Sequence, residues 1–522
     1  MKIKSIFFIF FIFSSLLCIG QNVFQKTYGQ PGGWASMELG NDVIQTVDGG
    51  YAVIGYNYIS GSFFLKIDPN GDTAWTKTYA GLLGFPETNS IKQTTDHGFI
   101  LGGYFHSGNP DQALLIKTDS LGNISWSKIF GGIYDDRILC VQQTNDGGYV
   151  FTGYTGISSA YNDYDVYIVK LNSSGGMQWT KTYGDSESNS GEYIEQTTDG
   201  GFIISGYSEN YLNFSNQYAF LLKIDAAGTL SWIKKISSPY LFEITSTTCP
   251  QNVRQTNDGG FILLGDLVNQ TNGASLLVKT DSLGTLQWTK AYSDISAGML
   301  YEISSGGYVI SGISNTSNEA TLLRVNSIGD PVWSRIYNAP FAYFTVACSV
   351  RPTTDSGFVF CGQIKSSLDS GSILLVKTDS LGNGNCFGTI QNLIDSTVNL
   401  ICTSPTYLSS FMNYASGIIL HVENYGINII DPCFTGIEFI PQTPITIFPN
   451  PFSTSTTLQF TTTPKNAELN IYNLYGQEIK TIKNISANKI EIDRGDLSSG
   501  IYFVRLVEGN ILIGTGKIIV TD

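Results

Sequence analysis

Two pairs of carboxylates lie close together along the chain, Asp135 with Asp136 and Asp185 with Glu187. Two carboxyl groups, one protonated and one ionised, suffice to cleave a glycosidic bond, so these are the residues a polysaccharide-processing glycosidase or lyase would use. Surface loops carry such pairs routinely, and the sequence supplies little else for catalysis. Its three histidines, His97, His106 and His421, are scattered, and neither H-E-x-x-H nor G-x-S-x-G occurs. No catalytic residue, metal site or cofactor is therefore assigned. The cysteines lack zinc spacing, and the recurring D-x-x-G turns lack the alternating oxygen ligands of a calcium loop.

A second set of residues suits recognition. Trp34, Phe85, Tyr134, Tyr240, Phe242, Phe341 and Tyr343 fall in one series of variable connections, and Tyr161, Tyr164, Tyr211, Phe214 and Tyr218 in another. Flat rings offer contact area while interleaved Asn, Ser and Tyr supply hydrogen bonds, a combination fitted to glycan or protein ligands. The alternative is that the rings pack their own loops. The expected binding residues are Trp34, Phe85, Tyr134, Tyr161, Tyr164, Tyr211, Tyr240 and Tyr343. Nucleic acid is excluded as a partner: the formal charge is -14, the sequence pI is near 4.7, and no Lys/Arg cluster offsets it.

The elements that carry these residues repeat. Trp75, Trp126, Trp179, Trp232, Trp288 and Trp333 each open a W-x-(Lys/Arg) stretch, in a unit of ~50 residues. Each unit runs W-T-K-T-Y, a variable loop, I-x-Q-T, a D-G-G turn, F-I-x-x-G-Y, a second variable loop, then L-L-K-T-D-S-L-G-N. The D-G-G position is filled by Asp48, Asp96, Asp146, Asp199, Asp258, Ser305 and Asp355, which makes seven copies. Glycines accept positive φ, so D-G-G and D-x-x-G each close a hairpin, and two hairpins give four strands. A glycine recurs within one strand (Gly55, Gly103, Gly153, Gly206, Gly265, Gly312 and Gly362), as expected where sheets crowd or a strand twists sharply. Lys66, Lys117, Lys170, Lys223, Lys279, Arg324 and Lys377 each precede an Asp or Asn by two residues, so a local pair beside the turn is expected. The fold class is all-β: a seven-bladed β-propeller of four-stranded repeats, a small β-rich connector, and a C-terminal Ig-like β-sandwich.

The seventh copy ends at Asn383 without its W-x-K-x-Y strand, whereas Phe24-Gln25-Lys26-Thr27-Tyr28 is such a strand with no partner before it. The orphan fits the vacancy and would close the ring. An open solenoid is the alternative, and it would leave two bare edges without capping repeats. The two short hairpin turns share one face of the ring. The variable loops share the other, which is the expected binding face.

Lys2 and Lys4 precede an apolar run from Ile6 to Ile19, the layout of a secretory signal, with cleavage expected between Gly20 and Gln21. The run is shorter than the ~20 residues a spanning helix requires. Leu17 before Cys18 argues against a lipoprotein signal. The expected organisation is 1–20 signal peptide, 21–384 propeller, 385–442 Cys-containing β-rich connector and 443–522 β-sandwich. In an exported protein the best disulfide candidates are Cys348 with Cys361 and Cys386 with Cys433, neither demanded by spacing.

The repeat, over residues 24 to 384, resembles secreted propeller-like repeat proteins of bacteria that use type IX export. The tail carries Pro449-Asn450-Pro451, Tyr472-Asn473-Leu474-Tyr475-Gly476, Leu497-Ser498-Ser499-Gly500-Ile501-Tyr502-Phe503 and Lys517-Ile518-Ile519-Val520, and it resembles the type A sorting domain of type IX secretion cargo. The sorting residues carried over are Pro449, Asn450, Pro451, Gly476, Gly500 and Lys517. The resemblance implies type IX machinery as a partner, export through the periplasm and outer membrane, and release or surface attachment. Membrane contact would come only from the signal peptide or from attachment after export.

Overall fold

The computed structural model describes residues 22–384 except 30–37, 58–60, 82–83, 107, 109, 159–162, 210–217, 238–241, 244–251, 268–273, 338–341 and 367–370. It also describes seven short stretches between 388 and 430, and 446–521 except 461–462, 474–477, 496 and 509–510. The expected signal peptide and the pair Cys386 and Cys433 lie outside these residues. The chain divides into two compact units, 1–433 and 434–522.

The first unit is a seven-bladed β-propeller. Blade 1 consists of Glu38–Gln45, Tyr51–Asn57, Gly61–Ile67 and Thr73–Gly81, hydrogen-bonded in that order from inner to outer strand. Blades 2, 3 and 4 begin at Phe85, Asp136 and Ser188. In blade 5, Phe242–Glu243 and Val253–Gln255 both pair with Phe261–Leu267. Blade 6 begins at Ile295. Blade 7 is Ala342–Pro352, Phe358–Ser366 and Ser372–Thr378, and its fourth strand is Phe24–Gly29 from the start of the chain. The seam runs in register from Phe24 opposite Lys377 to Tyr28 opposite Ile373. Closure removes both free edges of the open array.

The repeated residues hold the ring together. The outer-strand aromatic of each blade covers the turn glycine of the next, as with Trp75 on Gly122, Trp333 on Gly382 and, across the seam, Phe24 on Gly71. The tyrosine four residues later donates its hydroxyl to that same glycine's carbonyl: Tyr28 to Gly71 at 2.7 Å, Tyr79 to Gly122 at 2.8 Å and Tyr337 to Gly382 at 2.7 Å. At the inner strands the I-x-Q-T glutamine accepts a turn amide of the preceding blade, as Gln93 does from Val47 and Gln45 from Thr354 of blade 7. Apolar clusters fill the spaces between blades, so the core is shared from neighbour to neighbour.

Three expectations change in the structure. The lysines of the Lys-x-Asp motif do not pair with the aspartate two residues on. Lys66, Lys117, Lys170, Lys223, Lys279 and Lys377 reach the D-G-G turn of their own blade at 2.8 to 3.0 Å (Asp48, Asp96, Asp146, Asp199, Asp258 and Asp355). The D-x-x-G aspartate instead caps its own turn, Asp68 accepting the amides of Asn70 and Asp72. Blade 6 has Ser305 in place of the turn aspartate, and there Arg324 replaces lysine and donates to the backbone carbonyls of Gly306 and Val325. The recurring strand glycine is required by a bulge within its own blade: a Cβ on Gly55, Gly103 or Gly153 would lie 1.8 Å from an inner-strand carbonyl oxygen. Finally, Cys348 and Cys361 are not joined. A bulge between Ala347 and Ser349 turns Cys348 into a cluster with Val346, while Cys361 packs at the junction of blades 7 and 1.

The segment after the propeller runs back around its circumference. Gly388–Ile390, Asp395–Ser396, Ile401–Thr403, Leu408–Ser410, Ala415–Gly417, Leu420–Asn424 and Asn428–Ile430 add a short antiparallel strand to the outer edges of blades 6, 5, 4, 3, 2, 1 and 7 in turn. Each blade edge is thereby covered in part by a backbone that pairs with two to five of its residues.

The second unit is a sandwich. Thr446–Phe448, Ser455–Gln459 and Lys489–Asp493 form one sheet. Ala467–Tyr472, Glu478–Ile485, Gly500–Glu508 and Ile511–Val520 form the other. Leu458, Leu469, Ile471, Leu506 and Ile518 are buried between them.

Candidate functional site

Where the variable ends of blades 2 and 3 meet, the described side chains form one connected string. Phe85 opens blade 2, is 49% exposed, and stands opposite His106 on the neighbouring strand. The His106 Nδ1 lies 2.5 Å from Asp111, and Asp111 also accepts Arg137 Nε at 2.9 Å. The Arg137 guanidinium sits between two rings, 3.9 Å from the centre of Tyr104 and 5.9 Å from that of Tyr154. Tyr164 then lies against Tyr154 at 4.4 Å. An arginine held by a carboxylate and flanked by rings is a rigid, half-exposed donor.

The carboxylates nearby are tied to backbone amides of their own or a neighbouring loop. Asp135 Oδ1 accepts the Asp111 amide at 2.8 Å, and Asp136 Oδ2 accepts that of Gly132 at 2.8 Å. Asp185 accepts the Glu187 amide at 2.9 Å and the Tyr218 hydroxyl at 2.6 Å. Burial, together with the Asp135 charge, raises the Asp136 carboxyl to about 7, and its Oδ1 has no hydrogen-bond partner. Burial, with Asp163 and Asp185, raises Asp165 to about 6. A carboxyl raised to neutrality is what a general acid needs, but Asp136 is 0% exposed and no substrate reaches it as it stands. Among the described residues no group of three or more His, Cys, Asp or Glu side chains is placed to hold a metal ion.

Of the eight expected binding residues, the string contains Phe85 and Tyr164. Tyr134 lies half-buried in the loop before blade 3, its Cβ packed over Gly156, so it serves its own loop. Tyr343 is 62% exposed on blade 7, apart from the string. Trp34, Tyr161, Tyr211 and Tyr240 lie outside the described residues. Tyr218 is buried beneath Lys235, whose Nζ is 3.3 Å from its ring centre. The opposite face has a cleft of about 530 Å³ between blades 3 and 4, lined by Lys170, Trp179 and Phe202 among others, all positions that recur around the ring. The sequence expectations passed over the x of I-x-Q-T, where Lys92, Arg254 and Arg351 face the axis. Its signal was a change of charge from copy to copy beside neighbours that repeat.

In the sandwich several of the residues expected to carry the sorting motif are joined by hydrogen bonds. Asn450 donates to the Lys517 carbonyl at 2.7 Å and accepts the Ile519 amide at 2.8 Å, so the Pro449-Asn450-Pro451 segment is stitched to the last strand. Thr456 donates to the Pro449 carbonyl at 2.6 Å. Gly500 opens the strand that pairs with that last strand, Gly500 opposite Val520. Gly476 lies outside the described residues. Residues 446–521 match the family model of the secretion system C-terminal sorting domain.

The C-terminal unit is a type IX secretion sorting domain. The sorting domain marks the chain for export, to secretion or to the cell surface, and makes the type IX machinery its partner. No curated protein matches the chain. Among solved structures, polysaccharide lyase Uly1 is similar at a TM-score of 0.44 and 12% identity, covering 65% of this chain and 90% of its own. The first two extracellular domains of Drosophila Semaphorin 1b give 0.39 and 8%, covering 68% and 88%. Sqt1 from Chaetomium thermophilum gives 0.36 and 9%, covering 68% and 99%. The propeller assignment rests on the strand pairing of this chain.

Proposed function

We propose that this is an exported, non-catalytic binding protein. Its propeller takes a glycan or a surface protein on the variable face, and its sorting domain directs passage through the periplasm and outer membrane. The observation that carries the reading is the string from Phe85 through Arg137 to Tyr164, which offers rings and a fixed guanidinium on a rigid ring of sheets. A polysaccharide-processing enzyme is the competing reading. It is weakened because Asp136 and Asp185 are engaged with backbone amides of their own loops and Asp135 with the Asp111 amide of the neighbouring loop.

The test is a glycan and surface-protein binding screen on the secreted chain, repeated with Phe85→Ala and Arg137→Ala. Loss of the ligand at unchanged thermal midpoint supports the site. Unchanged binding in both variants removes it. Turnover of a bound polysaccharide would establish the competing reading.

A further inference from the structure

The inner strand of each blade carries, at the residue before the I-x-Q-T glutamine, a side chain whose charge varies from blade to blade. Around the ring these are Ile44, Lys92, Gln142, Glu195, Arg254, Tyr301 and Arg351. In a protein of formal charge -14, three of the seven are cations. Two of them each make a close hydrogen-bonded pair with a carboxylate. Arg254 bonds Glu195 at 2.8 Å and stacks on Tyr193 and Tyr301, at 4.9 and 4.4 Å. Arg351 bonds Asp42 Oδ1 at 2.8 Å.

Lys92 is the exception. Its nearest carboxylate oxygen, Asp42 Oδ2, is 3.8 Å away. Asp42 is shared among several donors, accepting Ser349 Oγ, Arg351 Nη2 and the Val43 amide on Oδ1, and the Ile91 amide on Oδ2. Among the described residues, the Lys92 ammonium hydrogen-bonds the Ile91 carbonyl alone, at 3.1 Å, although it has three donors. Its side chain retains 19% of its surface, so solvent in the axial channel reaches it. The other carboxylates near the channel are committed: Glu192 accepts Ser190 Oγ at 2.8 Å, and Glu302 accepts Asn257 at the rim at 3.2 Å.

A buried cation whose nearest carboxylate is already shared with an arginine gains by losing its proton or by taking up an anion. We infer that the channel at Lys92 is a binding site for one small oxyanion, a sulfate, a phosphate or a carboxylate. Lys92 anchors it, and Arg254 and Arg351 add their charge from across the axis. The charged and titratable groups that face Lys92 are Asp42, Cys140, Arg254 and Arg351. Burial is the largest influence on its ammonium and pushes it below the usual lysine range. Asp42 opposes that effect and the two arginines add to it. Binding therefore takes up a proton, and affinity rises as pH falls.

The probe is sulfate, whose charge is constant through the neutral range, added to the full chain at fixed ionic strength with chloride as reference. Equilibrium dialysis should give one saturable site, and saturation should raise the thermal midpoint by about 2–4 °C. Lys92→Met keeps the length of the side chain without the charge and should abolish both effects, whereas Lys92→Arg should retain them. Parallel titrations with phosphate and acetate distinguish a tetrahedral oxyanion from a carboxylate. Absence of saturable binding by all three anions, or sulfate binding unchanged in Lys92→Met, overturns the site. Should Lys92→Met not fold, the native chain and Lys92→Arg decide it: no saturable site in either overturns it, and a site that does not tighten from alkaline to neutral pH overturns the role of Lys92.

Discussion

Phe24, near the start of the chain, is paired with Lys377 at the far end of the repeat array, and its ring lies on Gly71 of the next blade. One strand thus completes blade 7 and seals it to blade 1. Its middle residue Thr27, buried opposite Leu374, is a sensitive point. Thr27→Pro should cost about 3 kcal/mol and open the seam first, read as a lower unfolding midpoint and early proteolysis near the first strand.

The positive-φ position of the D-G-G turn is occupied by His97 in blade 2 (φ 63) and Ser356 in blade 7 (φ 67). A side chain there is strained, while Gly49 in blade 1 holds φ 82 freely. His97→Gly and Ser356→Gly should each stabilise the propeller by about 0.5–1 kcal/mol, visible as a higher denaturant midpoint at unchanged slope.

Asp136 titrates at about 7 when folded, against 3.8 as a free side chain, because burial disfavours its charge. The folded protein then binds the extra proton between those values. The stability contributed is full below 3.8 and is lost as pH rises through about 7. Asp165 acts the same way up to about 6. Asp136→Asn should flatten the profile, removing roughly 2–4 kcal/mol of the loss on going from acid to neutral pH. Urea midpoints at a series of pH values would show it.

The strands between Gly388 and Ile430 cover the outer edges of the seven blades. A chain ended after Asn383 should retain its ring but expose those edges, and should self-associate where a chain ended after Cys433 stays monodisperse. Light scattering on both chains after gel filtration decides this.

Asn450 makes two hydrogen bonds to the last strand of the sorting domain. Asn450→Ala should destabilise that sandwich by about 1–3 kcal/mol and lower the amount of chain exported, while leaving the unfolding of the propeller unchanged. Scanning calorimetry and the exported fraction report the two effects separately.

The sequence by itself determined the number of blades, the strand that closes them and the sorting domain. Each is written in local signals: a period of ~50 residues, turn glycines, and a strand missing at one end and spare at the other. Tertiary structure decided what the repeated residues touch. Lys66 finds Asp48 rather than Asp68 because the hairpin turn lies beside it across the strands, a neighbour that spacing along the chain does not reveal. Cys348 and Cys361 are separated by one bulge, and a bulge reverses the face of a side chain without altering composition. The face of variable loops, where binding is proposed, was legible. That Phe85 should join His106, Asp111, Arg137, Tyr154 and Tyr164 was not, because those residues come from different strands and meet only when blades 2 and 3 pack. The Lys92 site has the same origin: cations ~50 residues or more apart in the chain face one axis only once the ring has closed.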